Sequence, residues 1–282
     1  MKTKNITVLI FSLLFFTTSC RNLMDDDTYK EEVKKIESEV KPESLIAKEV
    51  AIYSADKKQI GYTNLYFPPE GSPGSDIPYM EVKSFIDTFF EDYFTISQNG
   101  SLYKMIYNYK DLESEYFTID FSSGIVFYSD VNKITKSSDI VAETSAISHN
   151  TLVNQKNADP SYSINLKDYN IPMKFENGYG FLNPSLIQTL FLRPKNTVFI
   201  YNGKDIFMDN ETAYLDEEYS NLIVNPKESW SQEFADFSYN FLCLFLDLYY
   251  GRKEYLGVTK FDDWFKASGK KEELCSTNIE TS

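Results

Sequence analysis

IPYMEVKSFIDTFFEDYFTISQNG (Ile77–Gly100) and YGFLNPSLIQTLFLRPKNTVFIYNG (Tyr179–Gly203) run through the same order of elements, and that order decides the fold. In the first stretch Ile77-Pro78-Tyr79-Met80 is a brief extended piece, and Val82, Phe85, Ile86 and Phe89 follow at the spacing of one helical face. Tyr93 to Ile96 and Leu102 to Tyr107 then flank Asn99-Gly100, a strong turn signal between two strands. In the second stretch Tyr179 to Leu182 is extended, and Pro184 to Leu192 makes a short helix that starts at Asn183. Thr197 to Tyr201 leads through Asn202-Gly203 into Asp205 to Met208. The copies lie about 102 residues apart and stay nearly in register, so the chain carries a degenerate internal repeat. A helix laid on a small sheet is the ordinary way such a unit buries its apolar face. The expectation is an α+β fold of two strand-helix-hairpin units followed by a long C-terminal helix.

The flanking sequence extends this reading. Val50 and Ile52, then Ile60, Tyr62, Leu65 and Phe67, flank the polar turn Asp56-Lys57-Lys58 as a hairpin that ends at Pro68-Pro69. Tyr116 to Phe121 and Ile125 to Tyr128 form a further pair around Ser122-Ser123-Gly124, and Tyr162 to Leu166 and Ile171 to Phe175 are strands leading into Asn177-Gly178. The polar stretch from Asp130 to Pro160, with the only histidine, His149, reads as a long connection. Pro226 to Tyr250 is the best helix, capped by Asn225 and closed by Gly251, with Trp230, Phe234, Phe237, Phe241, Phe245, Leu248 and Tyr249 as its apolar stripe. Phe261 to Phe265, after the cap Thr259, starts a shorter one, and no packed element is expected after it. The resulting division is 49–145 for the first unit, 146–160 for a linker, 161–224 for the second unit and 225–276 for the helical segment. The 21 Tyr and 22 Phe suit half-buried surfaces of pleated sheets.

The leader is of another kind. Lys2 and Lys4 precede the apolar run Ile6 to Phe16, and Thr17-Thr18-Ser19 leads into Cys20. The run is too short to span a bilayer and reads as an export signal. It resembles the signal of a bacterial lipoprotein, which implies cleavage between Ser19 and Cys20 and acylation of Cys20. Residues 1–19 are then the signal and 20–48 an acidic and charged tether, interrupted by Pro42, that lifts the folded part off the membrane. The formal charge of −14 falls by two more when Lys2 and Lys4 leave, so nucleic acid and anionic lipid are repelled. Attachment to the lipid bilayer depends on acyl chains. The expected location is the outer membrane, on its periplasmic or cell-surface side; Asp25-Asp26-Asp27 resembles the acidic tag of surface-displayed lipoproteins.

Few residues suggest chemistry. Cys243, inside Phe241 to Leu246, reads as a buried free thiol, and Cys275 is the only cysteine besides it and Cys20. One histidine without zinc-site spacing gives no metal site, and no glycine-rich phosphate loop exists, so no cofactor is expected. Glu113 and Glu115, and Asp216, Glu217 and Glu218, read as solvated charge runs, and Asp205, Asp209 and Glu211 lack a calcium loop. Tyr103, Tyr107 and Tyr109 alternate along one strand face; packing is their expected role, and an exposed binding face the other reading.

Ile77 to Val82, Gly180 to Leu186 and Tyr201 to Asp205 resemble the N-terminal region of exported S41-family serine peptidases of the C-terminal-processing type. The resemblance continues through Ser238 to Cys243 and Leu246 to Gly251, which is similar to the helix that precedes the peptidase domain. The small units also resemble the α/β domains found beside copper amine oxidases, without implying copper. That family works through a serine and a lysine in a later domain, and the sequence stops at Ser282 where this domain would start, so no catalytic residue is carried over. What the resemblance implies is a non-catalytic module that binds a peptide or protein partner. A remnant or separate subunit of a peptidase, and a surface adhesin or solute-binding lipoprotein, are the alternatives.

Overall fold

A computed structural model of the chain describes residues 40–54, 58–90, 93–108, 114–130, 161–190, 197–210, 230–250, 253 and 255–277. In chain order the elements are β1 (Ile46–Tyr53), β2 (Gln59–Phe67), β3 (Met80–Glu81), α1 (Val82–Phe89), β4 (Phe94–Asn99), β5 (Leu102–Tyr107), β6 (Tyr116–Asp120) and β7 (Ile125–Tyr128). Then follow β8 (Tyr162–Asn165), a 3-10 helix (Leu166–Tyr169), β9 (Lys174–Glu176), β10 (Tyr179–Leu182), α2 (Pro184–Leu190), β11 (Thr197–Tyr201) and β12 (Ile206–Asn210). The helices α3 (Gln232–Tyr249), α4 (Phe261–Ala267) and α5 (Lys271–Leu274) complete an α+β fold.

The two copies meet edge to edge. β3 and β10 pair antiparallel, Met80 opposite Leu182 and Glu81 opposite Phe181. Met80 therefore faces the residue at the matching place of the second stretch. The copies also cap their helices at matching places. The Glu81 carboxylate accepts the N–H of Lys83 at 3.0 Å and of Ser84 at 2.6 Å, and the Asn183 carbonyl oxygen Oδ1 accepts the N–H of Ser185 at 3.0 Å. Each cap satisfies donors that the first helical turn leaves open.

Strands from before and after residues 131–160 meet in all three sheets. The four-stranded sheet runs β11-β12-β1-β2, with β1 parallel to β12 at Ile52–Ile206 and antiparallel to β2 from Ile46–Phe67 to Tyr53–Gln59. β9 joins β10 in the three-stranded sheet, and β4 to β8 form a five-stranded antiparallel meander in sequence order. One apolar cluster links all three sheets, from Leu45 to Leu248. Phe199 of the second copy sits among Phe85, Phe89 and Phe90 of the first, with ring centroids 5.4, 4.5 and 5.9 Å away. Edge and tilted contacts of this kind suit the aromatic quadrupole.

Several boundaries differ from the sequence expectation. Leu45 lies in the core and β1 begins at Ile46, so the end of the segment expected as tether is folded; Ser44 bonds Glu176, and the Asn177 amide donates to the Lys41 carbonyl at 2.9 Å. Of Ile171 to Phe175 only Lys174 and Phe175 are strand, in β9, and before them Asn165 caps the 3-10 helix and Asn170 ends it in the left-handed region at φ 51°. α3 is capped by Ser231, whose Oγ accepts the Phe234 N–H at 3.0 Å while the Asp76 carboxylate accepts from the Ser231 N–H and hydroxyl. Asn225, Pro226 and Gly251 lie outside the described residues. α4 is capped at Lys260 rather than Thr259, with no side-chain cap bond, and α5 is an element the sequence did not suggest.

The turns obey their own chemistry. Asn99 pairs with Leu102, so the loop is Gly100-Ser101, with Gly100 at φ 57°. Tyr201 pairs with Ile206, so the second loop is longer; the Asn202 side chain accepts the N–H groups of Lys204 and Asp205, and Gly203 stands at φ 93°. Asn177-Gly178, both at positive φ, is the two-residue turn that an Asn-Gly pair favours. Close approach, not φ, fixes Gly180, where an added Cβ would lie 2.3 Å from the Phe121 ring. Gly180→Ala is therefore expected to cost about 1 to 3 kcal/mol of stability through overpacking. The urea midpoint checks this; an unchanged midpoint would show that the Phe121 ring can move aside.

Candidate functional site

Two buried polar groups hold the fold together and do not face solvent. At the strand–helix junction Glu81 is buried, and the Tyr103 hydroxyl lies 3.2 Å from its Oε1. The same hydroxyl accepts the Gly180 N–H at 3.0 Å. Asn183, in the matching place of the second copy, instead donates from Nδ2 to the Pro78 carbonyl at 3.1 Å. A carboxylate cannot donate, so Tyr103 makes the link on the first side. Burial, followed by the Glu81 charge, pushes the Tyr103 phenol well above its ordinary value, so it stays protonated.

The second group ties the C-terminal helices together. Lys253 Nζ lies 2.6 Å from Asp247 Oδ1, and both side chains are buried. Asp247 also accepts the Phe261 N–H at 3.1 Å and the Tyr169 hydroxyl at 3.2 Å. One carboxylate so joins α3, the loop after it, the start of α4 and the 3-10 helix. Nearby, the Tyr239 hydroxyl donates to Asp262 Oδ1 at 2.7 Å. Both cysteines are free thiols; burial pushes the Cys243 thiol up to about 12, and Cys275, half-buried, is also raised. Lys253→Met leaves a buried charge without its cation and is expected to cost about 3 to 5 kcal/mol, while D247N/K253M, which removes the unpaired charge and keeps an acceptor for the Phe261 N–H, should recover part of that loss. Denaturant unfolding of the two variants checks the order; equal losses would mean that packing, not charge, sets the cost.

The outer face of β4 to β8 carries exposed and half-buried apolar side chains. Period-two alternation sends Tyr103, Met105, Tyr107, Phe117, Ile119, Val126 and Tyr128 into the core. Tyr103 and Tyr107 are thus not exposed rings, and Tyr109 lies outside the described residues. The opposite phase builds cross-strand rows on the outside: Leu102–Asp120–Ile125–Asn165 and Lys104–Thr118–Phe127–Ser163, with Ile106 opposite Tyr116. Leu102 and Ile125 are each 39 % exposed. The Tyr116 and Phe127 rings lie 6.1 Å apart, and Lys104 Nζ sits 4.0 Å over the Tyr116 ring. Aliphatic, aromatic and hydroxyl groups so lie together on a rigid sheet.

Asp120 is the acidic member of this face. Hydrogen bonds from the Ser122 hydroxyl at 2.7 Å, and also from the Ser123 hydroxyl and the Ser122 N–H, hold its carboxyl down at about 2. A depressed native value stabilises the fold above the unfolded value of 3.8, and that contribution disappears as pH falls through about 2. Between pH 4 and pH 2 the wild type should therefore lose stability more steeply than Asp120→Asn. Parallel acid titrations read by circular dichroism would refute this if the two slopes matched.

The remaining sequence-derived sites are dispersed. Ser19 and Cys20 lie outside the described residues, as do Glu113, Glu211, His149 and Asp216 to Glu218. Asn99 and Gly100 close β4–β5 in the five-stranded sheet, and Asn202 and Gly203 lead from β11 to β12 in the four-stranded one. Glu115 is not solvated. It is buried and accepts from the hydroxyls of Ser129 at 2.8 Å and Ser114 at 3.0 Å, a partnership its local sequence does not signal. Among the described residues no group of three or more His, Cys, Asp or Glu side chains is placed to hold a metal ion, and no helix is long and apolar enough to cross a membrane. A cavity of about 20 Å³ between Met80, Phe89, Asn183, Phe199 and Tyr201 has room for about one water. Comparisons with family models, curated proteins and solved structures return no match for this chain.

Proposed function

We propose that this chain is an extracytoplasmic lipoprotein, held to the outer membrane by acyl chains on Cys20, whose folded part is a non-catalytic module that binds a peptide or protein partner. The observation that carries the binding reading is the outer face of β4 to β8, where Leu102, Ile106, Tyr116, Ile125 and Phe127 share one surface. Such a face offers apolar area on a scaffold that is already ordered, so little entropy is lost when a partner docks. The non-catalytic reading rests on the resemblance to the N-terminal region of S41 peptidases, whose serine and lysine belong to a later domain. The hydroxyls of Ser84, Ser129 and Ser231 are bonded to the carboxylates of Glu81, Glu115 and Asp76, an arrangement that caps helices and steadies turns. The repeated strand-helix-hairpin units are read as relatives of the N-terminal region of S41 peptidases, built like the small domains beside copper amine oxidases.

Two measurements test this. A clickable palmitate analogue fed to cells should mark the wild-type chain and not C20A; equal labelling of both, or of neither, removes the anchor. Purified residues 21–282 should bind peptides with free C-termini without cleaving them, and Y116S/F127S should weaken binding about tenfold. Unchanged affinity in that variant would remove the sheet face from the proposal. Turnover abolished by one serine substitution would overturn the non-catalytic reading.

A further inference from the structure

The C-terminal segment carries exposed apolar side chains that the proposed partner face does not use. Tyr255 is 91 % exposed, Leu256 49 % and Trp264 42 %, three large side chains within ten residues of chain. Their mounting is rigid on both sides. Lys253 is fixed by Asp247, the Val258 N–H donates to the Lys253 carbonyl at 3.1 Å, and Val258 and Phe261 are buried. Tyr255 and Leu256 therefore stand at the tip of a short loop whose two ends are anchored in the fold. Trp264 follows Phe261 by one turn of α4, and its ring lies 5.2 Å from Phe265. A fold that presents Tyr, Leu and Trp outward from a fixed base leaves apolar area uncovered in water.

We propose that Tyr255, Leu256 and Trp264 form a membrane-contact site that seats the C-terminal segment at the headgroup–acyl boundary of the bilayer to which Cys20 is attached. The inference rests on the reading of Cys20 as the acyl anchor. Tyrosine and tryptophan, with an apolar body and a polar tip, are the side chains that favour this boundary. Local charge fits as well. Between Tyr255 and Cys275, Lys260, Lys266, Lys270 and Lys271 balance Asp262, Asp263, Glu272 and Glu273, whereas the whole chain carries −14. This segment is spared the repulsion that the rest of the molecule feels from anionic phosphate. The tether supplies proximity. From Cys20 to Val40 the chain reaches at most about 70 Å, so the C-terminal segment stays at high effective concentration near the bilayer and a weak contact suffices.

The chain's two tryptophans, Trp230 and Trp264, give a direct test. Trp230→Phe leaves Trp264 as the sole indole, and the full chain carrying it is isolated from cells fed the palmitate analogue and reconstituted with phosphatidylcholine vesicles. With acyl chains brominated near the headgroup, Trp264 emission should move to shorter wavelength and be quenched. Y255S/L256S in the same background should lower the quenched fraction by about threefold or more, because two of the three inserting side chains are gone. In W264F the remaining Trp230 should be insensitive to bromine. A palmitate-labelled protein whose Trp264 emission is unmoved and unquenched overturns the contact and leaves the anchor intact, pointing to a protein partner for this patch. If no label is found the anchor reading fails, and the same vesicles added from outside decide the contact by the presence or absence of quenching.

Discussion

The antiparallel pairing of Met80–Glu81 with Leu182–Phe181 is the contact on which the rest of the molecule depends. It is only two residues long on each side, and so few strand bonds are weak alone. Its strength comes from what it brings together. Both helices start at this seam, α1 from the cap Glu81 within β3 and α2 from Asn183 just after β10, so fixing the pair fixes where both begin. The Tyr103 hydroxyl and the Asn183 amide then bridge the seam on its two sides, each meeting a backbone group of the β10 or β3 segment that would otherwise be buried unpaired.

With the seam in place the sheets follow. The chain leaves α1 into the β4–β8 meander and leaves α2 into β11–β12, and the second hairpin lies beside β1 in parallel register. Parallel neighbours need a long crossover, and the whole of the first unit and the meander serves as one here. This places Phe199 against the Phe85–Phe89–Phe90 face of α1, which buries aromatic area that neither copy could cover alone. The two units are consequently one packing problem, with contacts of high sequence separation, and a fold of this kind gains its stability late in assembly.

Element type was largely legible in the sequence because it is a local matter. β7, β10 and β11 coincide with the apolar runs that suggest them, and α1 buries Val82, Phe85, Ile86 and Phe89 as their spacing requires. What escaped was set by distant partners. Ser231 caps α3 because Asp76, 155 residues earlier, orients it. Lys260 begins α4 without a side-chain cap because the Asp247 carboxylate takes the Phe261 N–H. Gly100 and Gly203 head loops of different length although their dipeptides are identical, since loop length follows from where the flanking strands come into register, and that is decided across the sheet.

The same distinction separates the buried from the available aromatic residues. Tyrosine and phenylalanine alternate on both phases of β5 to β7, so counting rings along a strand cannot tell a core face from a binding face. The choice is made by the seam. Tyr103 must point inward for its hydroxyl to reach Glu81 and Gly180, and once it does, strand period fixes Lys104 and Ile106 as outward and pairing carries that phase to Thr118, Tyr116 and Phe127. A one-residue slip of β5 would exchange the two faces and leave Glu81 buried without its phenol. The identity of the outer surface is thus a consequence of satisfying one buried carboxylate at the junction of the two copies.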